Sequence, residues 1–248
     1  MHVPRPLAAA LPVLLALLGA CADPLTGPTA RERLAARRPQ PPANTPILFV
    51  HGWNSSASTW TTMVQRFKKD GWTDAQLANF SYNTSRSNAE TAALIATKVD
   101  SIKQATGAAR VTIVTHSMGA LSARYYVKFL KGDGKVDALI SLGGPNHGTT
   151  SAYLCLSQAA CQEMAPNSTF LGSLNATDET WGSYSRYATW RSPCDEVINP
   201  RESPSLVGAA NTTTACLTHS QLKEDAVVYA QVRDWVRATP ITVLASAF

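Results

Sequence analysis

Two features of nucleic-acid-binding and repeat proteins are missing from this sequence of 248 residues. It has no internal repeat and no stripe of lysines and arginines interleaved with aromatic residues, although its isoelectric point is near 9.0. Residues 1–45 hold five arginines against one aspartate and one glutamate, a net charge of +3, and the remainder holds 17 basic and 15 acidic residues, a net charge of +2. Since nucleic-acid binding requires a basic footprint, we expect no nucleic-acid partner. The hydrophobic share of 45% predicts one globular domain with a sizeable core.

The apolar run near the start of the sequence is too short to cross a membrane. Leu7–Ala20 comprises 14 residues, whereas a spanning helix needs about 20. Arg5 precedes the run, which is typical of a signal peptide over residues 1–20. The run ends in L-G-A-C, which resembles the lipobox of bacterial lipoproteins, where cleavage precedes a cysteine that becomes acylated, here Cys21. A plain secretory signal is the alternative, and both predict export, either to the cell envelope as a lipoprotein or into the medium.

Five cysteines in an exported protein leave one thiol without a partner. If Cys21 is acylated, an even set of four remains, as suits an oxidising compartment. Three pairings of those four are possible. We favour a disulfide between Cys155 and Cys161, which closes a short local loop, and one between Cys194 and Cys216, which lies near the candidate catalytic residues. Free buried thiols are the alternative.

The rest of the sequence divides into a tether and one folded domain. Residues 21–45 are rich in Pro, Ala and Arg and predict a flexible tether, and residues 46–248 are predicted to fold. Strands are predicted at 47–50, 78–82, 111–115, 136–142, 187–191 and 213–217, and helices at 58–69, 89–106, 118–131 and 222–236. This alternation predicts an α/β fold, a mostly parallel central sheet with helices on both faces. Residues 146–185 lack a clear period and are predicted to form a small disulfide-containing insertion.

The strongest chemical signal is a serine between a predicted strand and a predicted helix. The β-branched run over residues 111–115 leads into His116-Ser117-Met118-Gly119, as a nucleophile elbow requires. Such a turn is strained and needs small neighbours, and it holds the serine hydroxyl at a helix N-terminus that favours negative charge. The pattern usually begins with Gly, where this sequence has Thr115. Ser117 is therefore the candidate nucleophile.

A second segment, His51-Gly52-Trp53, follows the first predicted strand. In a hydrolase that carries its nucleophile on such an elbow, an oxyanion hole combines the N–H after the nucleophile with an N–H from the loop after an early strand. Those donors would be the backbone amides of Met118 and Trp53, and Gly52 would allow the two segments to approach closely. The alternative is an ordinary turn at the end of a strand.

A catalytic base and an acid are expected after the serine in the chain. His219 lies between the last predicted strand and the last predicted helix and is the candidate base, with His147 as its competitor. Asp195 follows a predicted strand 24 residues earlier and is the candidate acid, with Glu196 ranked second and Asp178 third. The favoured disulfide between residues 194 and 216 would tie the loops of the two candidates together.

With these residues in place, the sequence resembles the small secreted bacterial lipases of the α/β-hydrolase superfamily, of lipase class 2 and close to the minimal-lipase type. The resemblance extends over most of residues 47–235 and is carried by I-L-F-V-H-G-W, V-T-I-V-T-H-S-M-G-A, A-R-Y-Y-V-K, L-G-G-P-N-H-G-T and C-D-E-V-I-N-P. It implies the triad Ser117, Asp195 and His219 and the oxyanion donors Trp53 and Met118. It also implies an α/β-hydrolase fold, hydrolysis of acylglycerols or simpler fatty esters, and no cofactor or metal.

Several alternatives stay open at this point. The insertion is longer than in minimal members of the family, so a role as a lid is undecided. Weak candidates for an acyl-chain groove are Trp60, Met63, Met118, Tyr153 and Leu154. A related serine hydrolase acting on amides or transferring acyl groups is one rival function. A non-catalytic surface lipoprotein that binds a lipid or a partner is the other. We expect a monomer.

Overall fold

Six strands and six α-helices form along residues 44–238, the part of the chain that the computed structural model describes. The strands are β1 (Ile47–Val50), β2 (Leu77–Asn79), β3 (Val111–His116), β4 (Val136–Leu142), β5 (Arg186–Arg191) and β6 (Ala210–Thr213). The helices are α1 (Thr61–Lys69), α2 (Asn88–Thr106), α3 (Gly119–Phe129), α4 (Ala159–Met164), α5 (Thr169–Asn175) and α6 (Ala226–Arg237). Short 3₁₀ segments at Ala57–Trp60, Thr150–Cys155 and Gln221–Lys223 lie close to the site described below.

The strand order β2-β1-β3-β4-β5-β6 determines where a site can form. All five neighbouring pairs are parallel. The chain passes from β1 outward to β2 and then crosses to β3 on the other side of β1. The connections from the neighbouring strands β1 and β3 lead to opposite sides, and this opens a crevice beyond their carboxyl ends. Ligands bind in this crevice in open parallel sheets. Here β1 is followed by His51-Gly52, and β3 is followed by Ser117.

Consecutive residues of each strand pack against opposite layers, because strand side chains alternate between the two faces of a sheet. Ile47 and Phe49 belong to the core shared with α1 and α6, whereas Leu48 and Val50 belong to the core shared with α2 and α3. All four side chains of β1 are fully buried, so both faces of this strand are covered by packed helices. A strand buried on both faces must be apolar throughout, which explains why β1 reads as an uninterrupted hydrophobic run.

Most of the predicted elements are confirmed within a few residues, but the last strand was predicted in the wrong place. It covers Ala210–Thr213 rather than residues 213–217. β6 is a mostly exposed edge strand with the polar sequence A-N-T-T, so it lacks an apolar signal. The more apolar stretch after it is held differently, because the hydroxyl of Ser192 accepts the amide of Leu217 at 2.9 Å and donates to its carbonyl at 2.6 Å. This segment places His219 at the carboxyl end of the sheet, in the same pocket as Ser117.

The insertion predicted over residues 146–185 contains α4 and α5, which the sequence did not reveal because six and seven residues are too few for a period to show. Its buried side chains form a third core with Met118 and Leu121. Glu163 attaches it to the start of α2. One carboxylate oxygen of Glu163 accepts the Ser87 hydroxyl, and the other accepts the backbone and side-chain N–H groups of Asn88 at 2.6 and 2.8 Å. The insertion is therefore fastened to the α2–α3 layer.

Both predicted disulfides are confirmed. Cys155 and Cys161 are joined within the insertion, with 5.6 Å between their Cα atoms. Cys194 and Cys216 are joined across 5.0 Å. The second bond connects the loop after β5 to the segment before His219, so it links the two loops that carry the candidate acid and base.

The predicted signal peptide over residues 1–20 and nearly all of the predicted tether over residues 21–45 lie outside the described residues, and so does Cys21. Their roles and the domain boundary at residue 46 stay predictions. Between residues 44 and 238, no helix has the length and apolarity that crossing a bilayer would demand.

Candidate active site

Ser117 occupies a strained turn between β3 and α3. Its φ angle is +55°, in the left-handed region that side-chain-bearing residues rarely adopt. The turn is held by the serine amide, which donates to the carbonyl of Leu142 at the end of β4, at 2.9 Å. Met118 follows as the N-cap of α3, a position whose backbone N–H has no acceptor within the helix. The serine thus sits next to a free helix N-terminus, as the sequence predicted.

Two glycines permit this turn because no side chain would fit in their place. A Cβ at Gly119 would lie 2.6 Å from the carbonyl oxygens of both Val50 and His51. A Cβ at Gly52 would lie 2.7 Å from the Cβ of Ser117 and 3.2 Å from its hydroxyl oxygen. The loop after β1 therefore approaches Ser117 as closely as backbone allows, which brings the next amide, that of Trp53, to the same end of the sheet.

Thr115, which stands where the elbow pattern usually has Gly, is accommodated in the sheet. Its side chain is fully buried, and its hydroxyl donates to the carbonyl of Ile140 on β4 at 2.9 Å. A buried hydroxyl without a partner would destabilise the strand by roughly 1–3 kcal/mol. Since this one is satisfied, the departure from the pattern leaves the turn intact.

His219 and Asp195 form a buried pair. The ring Nδ1 of His219 donates to Oδ2 of Asp195 at 2.8 Å, and the other carboxylate oxygen accepts the amides of Val197 and Ile198 at 2.9 Å each. Burial alone would raise the pKa of the Asp195 carboxyl, but the bonds from His219 and the two amides outweigh it and lower the pKa. Because an ionised carboxylate can only accept, Nδ1 carries the proton of the neutral ring and Nε2 has a free lone pair.

The competing acids and base have other partners. Glu196 accepts the backbone amide of His219 at 2.9 Å and so supports the same loop without using the ring. Asp178 bonds to the amide and hydroxyl of Thr180 in the insertion. His147 contacts Glu179 through Nε2 at 2.8 Å and lines a different cavity. Of the three predicted acids, only Asp195 is hydrogen-bonded to the ring of His219.

Ser117, His219 and Trp53 line one pocket of about 440 Å³. Its wall includes apolar side chains from the insertion and from the loop after Asp195, namely Ala152, Leu154, Met164, Val197 and Ile198. Of the residues suggested for an acyl groove, Leu154 lines the pocket and Tyr153 is exposed, whereas Trp60, Met63 and Met118 are fully buried in the cores, where strand and helix packing needs them. Among residues 44–238, no group of three or more His, Cys, Asp or Glu side chains could hold a metal ion.

His116 supports His219 in a way that the sequence did not reveal. Its Nε2–H donates to the backbone carbonyl of His219 at 3.0 Å, and the two rings lie 4.5 Å apart between centroids. Burial, helped by the neighbouring His219, lowers the pKa of His116 to about 3. His116 is therefore neutral at ordinary pH, and it acts as a fixed donor that holds the backbone of residue 219.

Thr149 and Ser151 hold the loop of the candidate acid, which the sequence analysis also missed. Both hydroxyls donate to the carbonyl of Val197 at 2.7 Å, and the oxygen of Thr149 accepts the amide of Asn199 at 3.1 Å. The same peptide segment donates its Val197 amide to Asp195. The end of the G-G-P-N-H-G-T segment thus clamps the loop that orients the carboxylate.

Gly143, the first glycine of the G-G-P-N-H-G-T segment, lies where a side chain would collide with its neighbours. Gly143 has a φ of +59° and lies against the ring of His219, so that a Cβ there would be 3.2 Å from Nδ1 and Cε1. It would also lie 2.9 Å from Leu222. A larger residue would displace the imidazole from its place beside β4.

With this geometry established, comparison with known proteins identifies the family. The profile of the family Lipase (class 2) matches residues 44–235, more than three quarters of the chain. The chain belongs to the class 2 lipase family. It is therefore a hydrolase of the lipase/esterase type, which confirms the resemblance inferred from the sequence.

Solved structures of lipases share the fold at low sequence identity. The mature lipase BlEst2 of Bacillus licheniformis superposes with a TM-score of 0.68 at 19% identity, covering 79% of this chain and 93% of that one. Lipase B of Aspergillus fumigatus superposes with a TM-score of 0.66 at 18% identity, covering 79% of this chain and 52% of that one. These neighbours confirm the predicted α/β-hydrolase fold, and this class 2 lipase spans about half the length of the fungal enzyme.

Replacing Thr149 with Val tests the clamp on the Asp195 loop. The variant keeps the side-chain shape but loses the bonds to the loop, so we expect kcat for ester hydrolysis to fall about tenfold, the equivalent of one to two hydrogen bonds. KM should change less than kcat, because valine keeps the shape of this pocket-lining side chain while the bonds that it loses are those to the loop of Asp195. Steady-state kinetics on a short-chain p-nitrophenyl ester measures both.

Thr189→Val is the matched control for this variant. Thr189 is equally buried, and its hydroxyl donates to Asn211 at 2.7 Å between β5 and β6. It should lower the unfolding temperature to a similar extent while leaving kcat unchanged. An equal loss of kcat in both variants would reduce the role of Thr149 to general stability.

Replacing His116 with Gln tests its neutral state. The unfolded chain takes up a proton on residue 116 below about pH 6.5, whereas the folded protein does so only near pH 3, so the wild type loses stability as pH falls through this window. We expect its unfolding free energy to fall by roughly 1 kcal/mol per pH unit more than that of the variant between pH 6 and pH 4. Urea unfolding at several pH values measures the difference, and parallel curves would refute it.

Proposed function

We propose that this class 2 lipase is a serine carboxylester hydrolase that cleaves fatty acyl esters through an acyl-enzyme. The observation that carries the proposal is the buried bond from His219 to Asp195 in a pocket also lined by Ser117. A hydroxyl on a strained strand-to-helix turn, a neutral imidazole and an ionised carboxylate are the three groups that nucleophilic acyl transfer requires.

The first half of the reaction acylates the serine. The Oγ of Ser117 attacks the ester carbonyl while Nε2 of His219 accepts its proton, and Asp195 stabilises the imidazolium that forms. The tetrahedral intermediate then collapses, the imidazolium gives its proton to the leaving alcohol, and the acyl group stays on Ser117. A hydrogen bond between the hydroxyl and Nε2 needs to form only with substrate bound, since such contacts are often loose in empty sites.

The backbone amides of Trp53 and Met118 would stabilise the negative oxygen of the intermediate. The close approach of Gly52 to Ser117 and the N-cap position of Met118 support this assignment. Each such donor contributes about 3 kcal/mol to transition-state stabilisation in comparable hydrolases. In the second half of the reaction, His219 removes a proton from water, which attacks the carbonyl of the acyl-enzyme. The bond to Ser117 then breaks, the imidazolium returns the proton to the serine oxygen, and the carboxylic acid is released.

The wall of the pocket supports an acyl chain as the specific ligand. Leu154, Met164 and Ile198 offer apolar contact surface within the same cavity as Ser117. We propose triacylglycerols or simpler carboxylic esters as substrates and assign no cofactor to the reaction. One chain supplies every member of the proposed triad, so the proposed reaction needs no second subunit.

Ser117→Ala should abolish hydrolysis of p-nitrophenyl esters while the unfolding temperature stays close to that of the wild type, because the variant lacks only the attacking oxygen. Asp195→Asn should lower kcat by about 10⁴, as in other triads. The assay is a panel from short-chain esters to long-chain triglycerides, with a p-nitroanilide and an acceptor alcohol to detect amidase or acyltransferase activity.

Asp178→Asn is the control for the acid, since Asp178 lies in the insertion and contacts Thr180 instead. It should retain wild-type rates. Turnover retained in Ser117→Ala would reject the nucleophile, and a mild effect of Asp195→Asn would transfer the role to Glu196. A wild-type protein inactive on the whole panel would favour a binding module.

We also propose that the protein is exported and anchored to a membrane through an acylated Cys21. Two disulfides in residues 44–238 support an oxidising compartment. They use all four of the other cysteines, which leaves Cys21 as the odd thiol of the sequence. The lipobox-like L-G-A-C sequence supports acylation at this position.

Cys21→Ser should release the protein from the membrane fraction, because the acyl group would have no attachment point. Fractionation of bacterial cells that express the wild type and the variant, followed by immunoblotting, measures the distribution. Release of the wild type into the soluble fraction would instead support a plain secretory signal.

A further inference from the structure

The proposed active-site pocket contains one formally charged side chain that the mechanism does not use. Lys223 lines the pocket together with Ser117 and His219. Within the described part of the chain, it is the only Asp, Glu, Lys or Arg among the lining residues. The residue is only 6% exposed, so little of its side chain is in contact with bulk water. A cation in such a place interacts strongly with any anion that enters the pocket.

The partner of Lys223 in the structure is a carboxylate that solvent can also reach. The Nζ donates to Glu224 at 2.7 Å, and the side chain of Glu224 is 53% exposed. Leaving a buried ammonium without an anion would be costly, so the pair is kept until another anion takes the place of the carboxylate. Because the side chain of Glu224 is half exposed, its carboxylate can turn into water in exchange for an anion that enters the pocket.

The backbone that carries Lys223 is fixed. Arg66 of α1 donates from Nη1 to the carbonyls of Glu224 and Asp225, at 2.6 and 3.0 Å. The side chain of Asp225 caps α6 by accepting the amides of Val227 and Val228. An ammonium on a fixed segment is a preorganised recognition group, whereas a surface lysine on a mobile loop is not.

Two of the polar residues that line the pocket belong to the same part of the fold as Lys223. Ser220 lies on the same segment, and Thr59 lies in the 3₁₀ turn that leads into α1, the helix that Arg66 ties to residues 224 and 225. Most of the apolar lining comes from the insertion and the loop after Asp195, and the insertion also contributes Thr149 and Ser151. The pocket therefore combines apolar surface suited to an acyl chain with polar groups suited to the alcohol part of an ester.

We propose that Lys223 binds an anionic group, a carboxylate or a phosphate, on the alcohol part of the substrate. This inference rests on the proposed ester hydrolysis and narrows its substrate class to esters whose alcohol carries a negative charge. The anion takes the place of the Glu224 carboxylate at Nζ and forms a charge-assisted hydrogen bond, which is about twice as strong as a neutral one.

Three butyrate esters test the proposal. They are the esters of methyl para-hydroxybenzoate, which is neutral, of para-hydroxybenzoate, which carries a carboxylate, and of para-hydroxyphenyl phosphate. The readout is the ratio of kcat/KM for each anionic ester to kcat/KM for the neutral ester, with phenol release followed by chromatography. Because the intrinsic reactivity of each ester is the same for every variant, a change in the ratio reports recognition of the charge.

The variants are Lys223→Gln, Glu224→Gln and the control Lys135→Gln. Lys223→Gln should lower the ratio about tenfold, as expected for loss of a charged hydrogen bond. Glu224→Gln should raise it, because the competing carboxylate is gone. Lys135 pairs with Asp100 outside the pocket, so its variant should leave the ratio unchanged. The carboxylate and phosphate esters show which anion is preferred.

An unchanged ratio in Lys223→Gln, or a ratio that falls in Glu224→Gln, would overturn the proposal. If Lys223→Gln does not fold, as judged by its thermal transition, the response of Glu224→Gln still decides the matter. Hydrolysis of the neutral ester that depends on Ser117, combined with an unresponsive ratio, would reject only the role of Lys223. Failure of the wild type to hydrolyse any of the three esters would reject the proposed function itself.

Discussion

The left-handed backbone at Ser117 is the constraint on which the rest of the site depends. A residue with a side chain adopts this conformation only when its surroundings compel it. Here the sheet imposes it, because the serine amide donates to the end of β4, Gly119 lies against the backbone that follows β1, and Gly52 of that loop lies against Ser117. The parallel order of β1, β3 and β4 makes all of these contacts possible, so the fold itself holds the hydroxyl in place.

The candidate acid and base are held by a different means, since neither belongs to a regular element. Their loops are joined by the disulfide between Cys194 and Cys216 and by the hydroxyl of Ser192, and Thr149 clamps the acid loop to the insertion at Val197. His116 adds a bond to the backbone of residue 219. A dense set of hydrogen bonds thus replaces the ladder of a sheet and gives two loops the rigidity that a buried hydrogen-bonded pair requires.

Much of the fold could be predicted because its signals are local. The buried strands β1, β3 and β4 are short apolar runs between turn residues, and their bounds were predicted within a residue. β6 failed because an exposed edge strand needs no apolar side chains, and α4 and α5 failed because they are too short to show a period. The contacts of Thr149 and His116 were out of reach, because each joins segments between 48 and 103 positions apart.

The sequence by itself determined the turn that carries Ser117, since a strand, a tight turn and a helix follow one another locally along the chain. It also supplied the four cysteines that form the two disulfides. It ordered three acids but could not choose among them by chemistry, because aspartate and glutamate side chains are alike in isolation. Tertiary structure distinguishes them, because it brings Asp195 to the ring of His219 and Glu196 to its backbone amide. Tertiary structure also placed Lys223 in the pocket. A short 3₁₀ turn has no periodicity from which its buried side could be predicted, so the elements packed around the turn decide which of its residues line a cavity.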